Sequence, residues 1–157
     1  MIRKAIYPGR FDPFTLGHQD LVARASGMFD EVEVLVSINP NKSYKLKEDA
    51  RVKLAEEAVK KFKNVKVSKY EGLTVDYAKN NGFKAILRGL RAASDFEMEL
   101  EMSQINNKLS GIDTMFLMTS PELSFIRASR VWELINLNVD INHIVPKNVA
   151  NYLEQEF

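Results

Sequence analysis

Hydrophobic and polar positions alternate along this chain between short β-rich runs and longer helical patterns. The clearest strand pattern is the valine-rich run from Glu31 to Ile38. The clearest helical pattern is Lys47 to Phe62, whose apolar side chains recur at helical spacing and form one broad stripe. Strands that alternate with helices are typical of a parallel α/β sheet.

The pattern predicts five strands with helices between them. The predicted strands are Lys4 to Tyr7, Glu31 to Ile38, Val65 to Tyr70, Ala85 to Leu90 and Thr114 to Met118. The predicted helices are His18 to Met28, Lys47 to Phe62, Thr74 to Asn81, Ser94 to about Leu109, Ser129 to Leu137 and Lys147 to Glu156. Gly82 is placed to end the third helix in the left-handed conformation. The spacing in Ser94-Asp95-Phe96-Glu97 predicts a capping box, and Ser120-Pro121 predicts an N-cap followed by a proline at the first helical position.

These elements indicate a doubly wound five-stranded parallel sheet of the Rossmann-like kind. Ligands of such sheets bind outside the carboxyl ends of the strands, at the point where the strand order reverses. The loops that follow the predicted strands are therefore the segments in which binding residues are expected.

Composition narrows the class of protein. The chain has 157 residues, 45% of them hydrophobic and 27% charged, which suits one globular domain. A formal net charge of +1 gives no broad attraction to nucleic acid or anionic lipid, and no apolar run approaches membrane-spanning length. The chain has no cysteine, which excludes disulfides, thiolate zinc sites and a cysteine nucleophile, and fits the cytoplasm.

A loop rich in glycine and proline, from Tyr7 to His18, joins the first strand to the first helix. Gly17 lets the backbone pass close to a phosphate, and the helix start offers unpaired N–H groups and a positive dipole end. His18 at that position can donate a hydrogen bond to a phosphate oxygen that gains charge. The spacing matches neither a P-loop nor a G-x-G-x-x-G loop. Taken alone, the segment indicates no more than a turn glycine and a helix-end histidine.

Cationic side chains follow the second and fourth predicted strands. Lys42 lies in a polar loop, where a lysine is usually solvated, but Arg88 and Arg91 lie together at the end of the fourth strand. Arg88 interrupts an otherwise apolar strand, and burying an unpaired guanidinium is costly. A bound phosphate would supply the missing negative charge.

The segments around these residues resemble the phosphopantetheine adenylyltransferases of the nucleotidyltransferase superfamily. Thr15-Leu16-Gly17-His18 resembles the superfamily's (H/T)-x-G-H signature, and Tyr7-Pro8-Gly9 and Phe11-Asp12-Pro13 resemble its phosphopantetheine branch. Arg88-Gly89-Leu90-Arg91 followed by Ser94-Asp95-Phe96-Glu97 resembles R-G-L-R-x-x-x-D-F-E, the most branch-specific stretch. The resemblance covers essentially the whole chain and implies one domain with the nucleotidyltransferase fold.

By this resemblance the chain is expected to move AMP from ATP onto the phosphate of 4'-phosphopantetheine, giving dephospho-coenzyme A and pyrophosphate. The acceptor phosphate is already an anionic nucleophile, so in-line attack on the α-phosphate needs no covalent intermediate. Mg²⁺ is expected to bind with ATP. The family further implies a cytoplasmic homohexamer of two trimers, with coenzyme A as a feedback ligand and neither nucleic acid nor membrane as a partner.

The same resemblance implies three groups of site residues. The catalytic residues are His18, which stabilises the transition state, Lys42 and Arg91. The ATP-binding residues are Arg10, Phe11, Thr15, Gly17, His18, Gly89, Leu90, Arg91, Glu99, Ser124, Phe125, Ile126, Arg127, Ala128, Ser129 and Arg130. The residues for the acceptor are Arg10, Lys42 and Arg88 at its phosphate and Leu73, Thr74, Met102 and Asn106 along its pantetheine arm. Without the resemblance, Glu99 would indicate a surface carboxylate, and Met102 with Asn106 a helix flank.

Two segments depart from the family pattern. Arg10 stands where the family has threonine or serine, and Arg127 and Ala128 replace the first two serines of an S-F-I-S-S-S segment, leaving Ser129. Arg10 either reaches the acceptor phosphate beside Lys42 or swings to solvent, and we predict the first because a further cation near a dianion gains Coulomb energy. Arg127 either restores charge at the ATP phosphates or points to solvent, and the sequence leaves both open.

Three other functions fit parts of this pattern. A related nucleotidyltransferase would use another phosphate acceptor, such as nicotinamide mononucleotide or glycerol phosphate, but the Arg88–Glu97 segment argues against it. A non-catalytic adenine-nucleotide-binding module would bind ATP without turnover. The four cations expected at the phosphates, which are Arg10, Lys42, Arg88 and Arg91, make this function less expected. A class I tRNA-synthetase fragment shares the first loop, but the short chain and near-neutral charge leave no tRNA-binding part.

Overall fold

Strands and helices alternate along the chain, and the computed structural model describes residues 1–157. The strands are β1 (Lys4–Gly9), β2 (Glu31–Ile38), β3 (Val65–Glu71), β4 (Ala85–Leu90) and β5 (Asp113–Met118). The helices are α1 (Leu16–Met28), α2 (Glu48–Val59), α3 (Thr74–Asn80), α4 (Ala93–Ser110), α5 (Ala128–Asn136) and α6 (Lys147–Glu156), with a 3₁₀ turn at Pro121–Leu123. Every predicted element is present, with shifts of a few residues at the ends. Gly82 follows α3 with a φ of 72°, in the predicted left-handed conformation.

The five strands form one parallel sheet in the order β3-β2-β1-β4-β5. The chain builds outward from β1 to β3 and then returns to place β4 on the other side of β1, so the strand order reverses between β1 and β4. β1 pairs with β2 from Lys4 to Gly9 but with β4 only at Ala5 and Ile6. The predicted doubly wound sheet is confirmed, and its two central strands separate toward their carboxyl ends, which opens a crevice.

Apolar side chains fill both faces of the sheet, because successive strand residues point to opposite faces. Ala5 and Tyr7 of β1 and Val34 of β2 belong to a core shared with α1, α2, α5 and α6. Ile6 of β1 and Leu35 of β2 face the other way and pack with α3. None of the helices is both long and apolar enough to span a membrane.

At two helix starts, the observed hydrogen bonds differ from the side-chain caps that the sequence predicted. α4 begins one residue before Ser94 without a side-chain cap, and the Asp95 carboxylate accepts the backbone N–H of Arg91 at 3.1 Å. The Ser120 hydroxyl donates to Asp20 of α1 at 2.9 Å and does not cap the 3₁₀ turn. The capping box predicted at Ser94 is therefore wrong, because the helix begins at Ala93 and Ser94 lies inside its first turn, where it cannot be the N-cap.

Candidate active site

An open cavity of about 910 Å³ lies at the carboxyl ends of β1 and β4. Its wall is made by the loops after β1 and β2, the end of β4 with the start of α4, and the start of α5. The cavity thus lies at the reversal of strand order, where the sequence predicted a ligand site. Its volume is within the range of small-molecule sites.

Most of the predicted site residues line this cavity. They are Arg10, Phe11, Thr15, Gly17, His18, Arg88, Gly89, Arg91, Glu99, Ile126, Arg127, Ala128 and Ser129. The others lie outside the lining, namely Lys42, Leu73, Thr74, Leu90, Met102, Asn106, Ser124, Phe125 and Arg130. Lys42 is exposed on a loop whose following residues, from Ser43 to Lys45, do line the cavity. Arg130 forms an ion pair with Glu133 on its own helix.

His18 has a fixed ring orientation. Its Nδ1 accepts the backbone N–H of Thr15 at 2.9 Å, and Thr15 Oγ1 accepts the backbone N–H of His18 at 3.4 Å. This reciprocal pair is a capping box at the start of α1, with histidine in the place usually taken by glutamate or glutamine. A ring nitrogen that accepts a hydrogen bond carries no proton, so the neutral imidazole carries its proton on Nε2.

Burial lowers the pKa of His18 from its usual value of 6.5 to about 4, and the charges of Arg91 and Arg88 add to the shift. The ring packs against Phe11 and Phe14, with centroids 5.0 and 5.3 Å away. His18 is therefore neutral at pH 7. It offers the cavity wall an Nε2–H donor without adding a charge.

Glu99 holds Arg88 in a two-point ion pair. Nε and Nη2 of Arg88 donate to the two carboxylate oxygens at 2.7 and 2.6 Å, and Nη1 donates to the carbonyl of Pro8 at 3.1 Å. Burial lowers the pKa of Arg88, but the hydrogen bond and charge of Glu99 outweigh it, so the pKa is raised. Glu99 thus supplies negative charge that the sequence pattern led us to expect from a phosphate. Of the five N–H groups of the guanidinium, the two that remain are free to meet a ligand.

Arg91 lies one residue beyond β4 and is held by Asp95. Its Nε donates to Asp95 Oδ2 at 3.3 Å, and its backbone N–H donates to the same oxygen at 3.1 Å. Burial raises the pKa of Asp95, but these hydrogen bonds outweigh it and lower the pKa. The ionised carboxylate fixes the Arg91 guanidinium at the side of the cavity near His18.

The start of α5 forms a further part of the cavity wall. Arg127 precedes the helix and its side chain is exposed, while Ala128 and Ser129 begin the first turn. Amides in a first turn have no partner within the helix, so they remain available to an anion. Trp132, one turn further, donates from Nε1 to the carbonyl of Asp12 at 2.9 Å. This bond ties α5 to the loop after β1.

Glycines permit two close approaches in the wall. A Cβ atom at Gly9 would lie 2.8 Å from the ring of Phe11, and one at Gly89 would lie 2.9 Å from Leu21 of α1. At Gly17 the nearest atom to an added Cβ would be 3.6 Å away, which is an ordinary contact. Contacts within the protein therefore do not by themselves require glycine at position 17.

Arg10 lies at the edge of the cavity and contacts the loop that carries Lys42. Its Nη2 donates to the carbonyl of Ser43 at 2.8 Å, and its Cζ lies over the ring of Tyr44, 4.9 Å from the centroid. The Arg10 side chain is exposed, and these two contacts hold its guanidinium against the loop after β2.

Three residues that shape the cavity were missed by sequence reasoning. The Asp12 carboxylate accepts the backbone N–H groups of Lys45 and Leu46 at 2.7 and 2.9 Å. Tyr44 contacts Arg10, and Trp132 holds α5. A signal existed only for Asp12, which lies in the branch-specific Phe11-Asp12-Pro13. A single aromatic residue in a loop or helix gives no pattern from which its contacts could be inferred.

The carboxylates of the cavity are all engaged with protein groups, as described for Asp12, Asp95 and Glu99. No group of three or more acidic or histidine side chains is placed to hold a metal ion.

Comparisons with known proteins agree with the fold and the motifs. Residues 6–134 match the family described as cytidylyltransferase-like. The chain is 47% identical over 150 residues to a phosphopantetheine adenylyltransferase from Corynebacterium diphtheriae, covering 95% of this chain and 94% of the relative. It is 46% identical to one from Staphylococcus haemolyticus, covering 98% and 96%. Among solved structures, a protein described as a nicotinate-nucleotide adenylyltransferase from Vibrio parahaemolyticus superposes with a TM-score of 0.70 at 19% identity, covering 98% and 99%, and supports the fold alone.

Proposed function

Because this chain belongs to the cytidylyltransferase-like family and, within it, to the phosphopantetheine adenylyltransferases, we propose that it transfers AMP from ATP to 4'-phosphopantetheine. The products are dephospho-coenzyme A and pyrophosphate. The observation that carries the proposal is 43–47% identity, over nearly the whole chain, to proteins of that name. The cavity supports it, because its cations and helix N-terminus suit two phosphate-bearing substrates.

The reaction needs no covalent intermediate on the protein. An oxygen of the acceptor phosphate forms a bond to the α-phosphorus of ATP, and the bond from that phosphorus to the α,β-bridging oxygen breaks. The bond's electron pair leaves with pyrophosphate. Since the nucleophile is already anionic, the protein's task is to position both phosphates and offset their charge.

His18 is the proposed transition-state stabiliser. Its Nε2–H donates to an α-phosphate oxygen, and the bond strengthens as that oxygen gains charge. Because Thr15 fixes the ring, the donor needs no reorientation during the reaction. Because the ring is neutral, it binds the phosphate of the ground state only weakly, and most of its stabilising effect is realised in the transition state.

The ATP phosphates lie, in this proposal, between Arg91 and the start of α5. The free amides of Ala128 and Ser129 and the positive end of the helix dipole meet the β- and γ-phosphates. Arg127 lines the same wall and supplies a charge where the family has a hydroxyl. Ser129 keeps the one remaining hydroxyl of that segment. The other family positions, Gly89, Leu90, Glu99 and the rest of 124–130, are assigned to ATP by resemblance.

The acceptor phosphate binds between Lys42 and Arg88. Arg88 is held by Glu99 and retains two free N–H groups, while Lys42 reaches in from its exposed loop. The pantetheine arm extends along α3 and α4. Leu73 and Met102 support this placement, because their apolar side chains are 60% and 49% exposed and offer a wall to an uncharged arm. Thr74 and Asn106 are assigned as its polar partners by resemblance.

Mg²⁺ is proposed to enter bound to ATP, where it would neutralise charge on the phosphates. The engaged state of the cavity carboxylates fits an ion ligated mainly by phosphate oxygens.

A panel of acceptors tests this function. Pyrophosphate release from MgATP should require 4'-phosphopantetheine and should be at least about 100-fold slower with nicotinamide mononucleotide or glycerol phosphate, since a missing set of arm contacts is worth several kcal/mol. Turnover with nicotinamide mononucleotide but not with phosphopantetheine would establish the related-enzyme alternative instead.

The proposal includes a homohexamer in the cytoplasm, where ATP is available, and coenzyme A as a feedback ligand that competes with phosphopantetheine. Support for assembly comes from α4, which has no buried residue in the single chain and carries exposed apolar side chains on one face, at Met98, Ile105 and Leu109. Sedimentation equilibrium at micromolar concentration should give six times the chain mass, and a monomer would refute the assembly.

A further inference from the structure

The loop between β2 and α2 is closed on itself around Tyr44. The Tyr44 hydroxyl accepts the backbone N–H of Asn39 at 3.0 Å and lies 3.5 Å from the carbonyl of Ser37. The backbone N–H of Lys42 donates to the carbonyl of Asn39 at 3.0 Å. Lys42 therefore lies in a turn, and the Tyr44 hydroxyl holds the start of that turn at Ser37 and Asn39.

The ring of Tyr44 lies against two arginines. The Cζ atoms of Arg10 and Arg51 lie over it at 4.9 and 3.9 Å from the centroid. Arg51 is 1% exposed, and its Nη1 donates to the carbonyls of Arg10 and Ser37 at 2.8 and 3.2 Å. Two guanidinium groups repel each other, so the aromatic face and these carbonyls are what keep them together.

Arg10 completes a link between the loops after β1 and β2. Its Nη2 donates to the carbonyl of Ser43, the residue that follows Lys42. On the other side of Tyr44, the Asp12 carboxylate accepts the next two backbone N–H groups of the loop. The turn that carries Lys42 is thus tied to the loop after β1 on both sides of Tyr44.

We propose that Arg10 is a positioning residue, which holds Lys42 ready for the acceptor phosphate through Ser43 and Tyr44 and touches neither substrate's phosphates itself. This rests on the proposed function, since the phosphate is that of phosphopantetheine. Lysine is a flexible point charge, and a loop that is ordered before binding loses less entropy when the phosphate arrives. We call the contacts of Arg10 with the Ser43 carbonyl and the Tyr44 ring the clasp. A threonine or serine at position 10 is too short to make either contact, so the clasp results from this chain's own departure from the family.

A double-mutant cycle on KM tests the proposal. Arg10→Ala should raise the KM for phosphopantetheine about three- to tenfold, the effect of one exposed hydrogen bond with a cation–π contact. The kcat and the KM for ATP should stay within about twofold of wild type, because the reacting phosphates keep their own contacts. In a Lys42→Ala background, Arg10→Ala should add less than about twofold, since its effect passes through Lys42. Arg3→Ala, which removes an exposed arginine at the other end of β1, is the charge-matched control and should change neither KM.

Two kinetic results would overturn the proposal. Equal effects of Arg10→Ala with and without Lys42 would show that Arg10 contacts the acceptor phosphate directly. An effect on the KM for ATP alone would place it on the triphosphate.

Hydrogen exchange tests the clasp without any turnover, so a failure of the proposed function remains distinguishable from a failure of this inference. Arg10→Ala should speed amide exchange at Asn39 and Lys42 and leave β2 unchanged. Tyr44→Leu should do the same, and the double variant should add little more. Unchanged exchange at both amides in Arg10→Ala would refute the clasp even if the enzyme is a phosphopantetheine adenylyltransferase.

Discussion

The His18 imidazole is fixed before any substrate binds, because the backbone N–H of Thr15 donates to Nδ1 and leaves the proton on Nε2. We predict that His18→Ala lowers kcat about 100- to 1000-fold, the usual cost of losing one donor to a transition-state oxyanion. The KM for ATP should change by less than about threefold, since the bond strengthens only as charge develops. Steady-state kinetics with both substrates would measure this. A variant with wild-type kcat would reduce His18 to a structural helix cap.

The lowered pKa of His18 makes stability depend on pH. The folded value is about 4 against the usual 6.5, so between these values the unfolded chain binds a proton that the folded protein does not. The free energy of unfolding therefore falls as pH falls through this window. Between pH 7 and 5, wild type should lose up to about 2 kcal/mol more than His18→Asn, which keeps an acceptor for Thr15 but does not titrate. Urea unfolding at the two pH values gives the comparison. An equal loss in both proteins would show that His18 titrates normally.

Single residues were predicted from the sequence where a motif marked them, as at His18 and Arg88. The residues that form hydrogen bonds or ion pairs with them were harder to predict. The spacing of Thr15 and His18 is that of a capping box, but histidine replaces the usual glutamate or glutamine, so the predicted helix began too late. Glu99 was assigned to ATP, and its ion pair with Arg88 links positions on a strand and a helix that no sequence spacing connects.

Among the elements, α5 begins at the cavity wall to which our proposal assigns the ATP phosphates, and a single side-chain bond ties it to the first loop. We predict that Trp132→Phe, which loses the Nε1–H bond to Asp12, lowers the free energy of unfolding by about 1 kcal/mol. The KM for ATP should rise about two- to fivefold, because the helix N-terminus is held less firmly. Phe157→Leu is the control, since it removes only the ring contact of Trp132 at 5.1 Å and should leave that KM unchanged. Equal KM changes in the two variants would show that packing, and not this bond, positions α5.

Element order and type could be predicted because hydrophobic periodicity depends on local sequence alone. The starts of α3 at Thr74 and of α6 at Lys147 were also predicted, but the hydrogen bonds at the starts of α4 and of the 3₁₀ turn were not. At α4, Asp95 takes the amide of Arg91, and at the 3₁₀ turn the Ser120 hydroxyl bonds to Asp20 of a distant helix. The partner that each polar side chain takes depends on where the helix begins and on the tertiary structure, which a capping rule does not include.

At the scale of the whole molecule, the position of the site followed from topology, since alternating elements predict a reversal of strand order and a ligand crevice beside it. The contacts between the loops after β1 and β2 could not be predicted from the topology. They join Arg10 to Ser43 and Asp12 to Lys45, pairs more than thirty residues apart that carry no spacing signal. The exposure of the apolar face of α4 formed by Met98, Ile105 and Leu109 is likewise visible only once the chain is folded and its neighbours are known.

Transfer of labelled AMP tests the central claim most directly. With ATP labelled at the α-phosphate, Mg²⁺ and 4'-phosphopantetheine, the label should appear in dephospho-coenzyme A, in an amount equal to the pyrophosphate released and with none bound to the protein. Addition of pyrophosphate to the purified product should return the label to ATP. Binding of ATP without any labelled product, or label transferred only to another acceptor, would contradict the assignment.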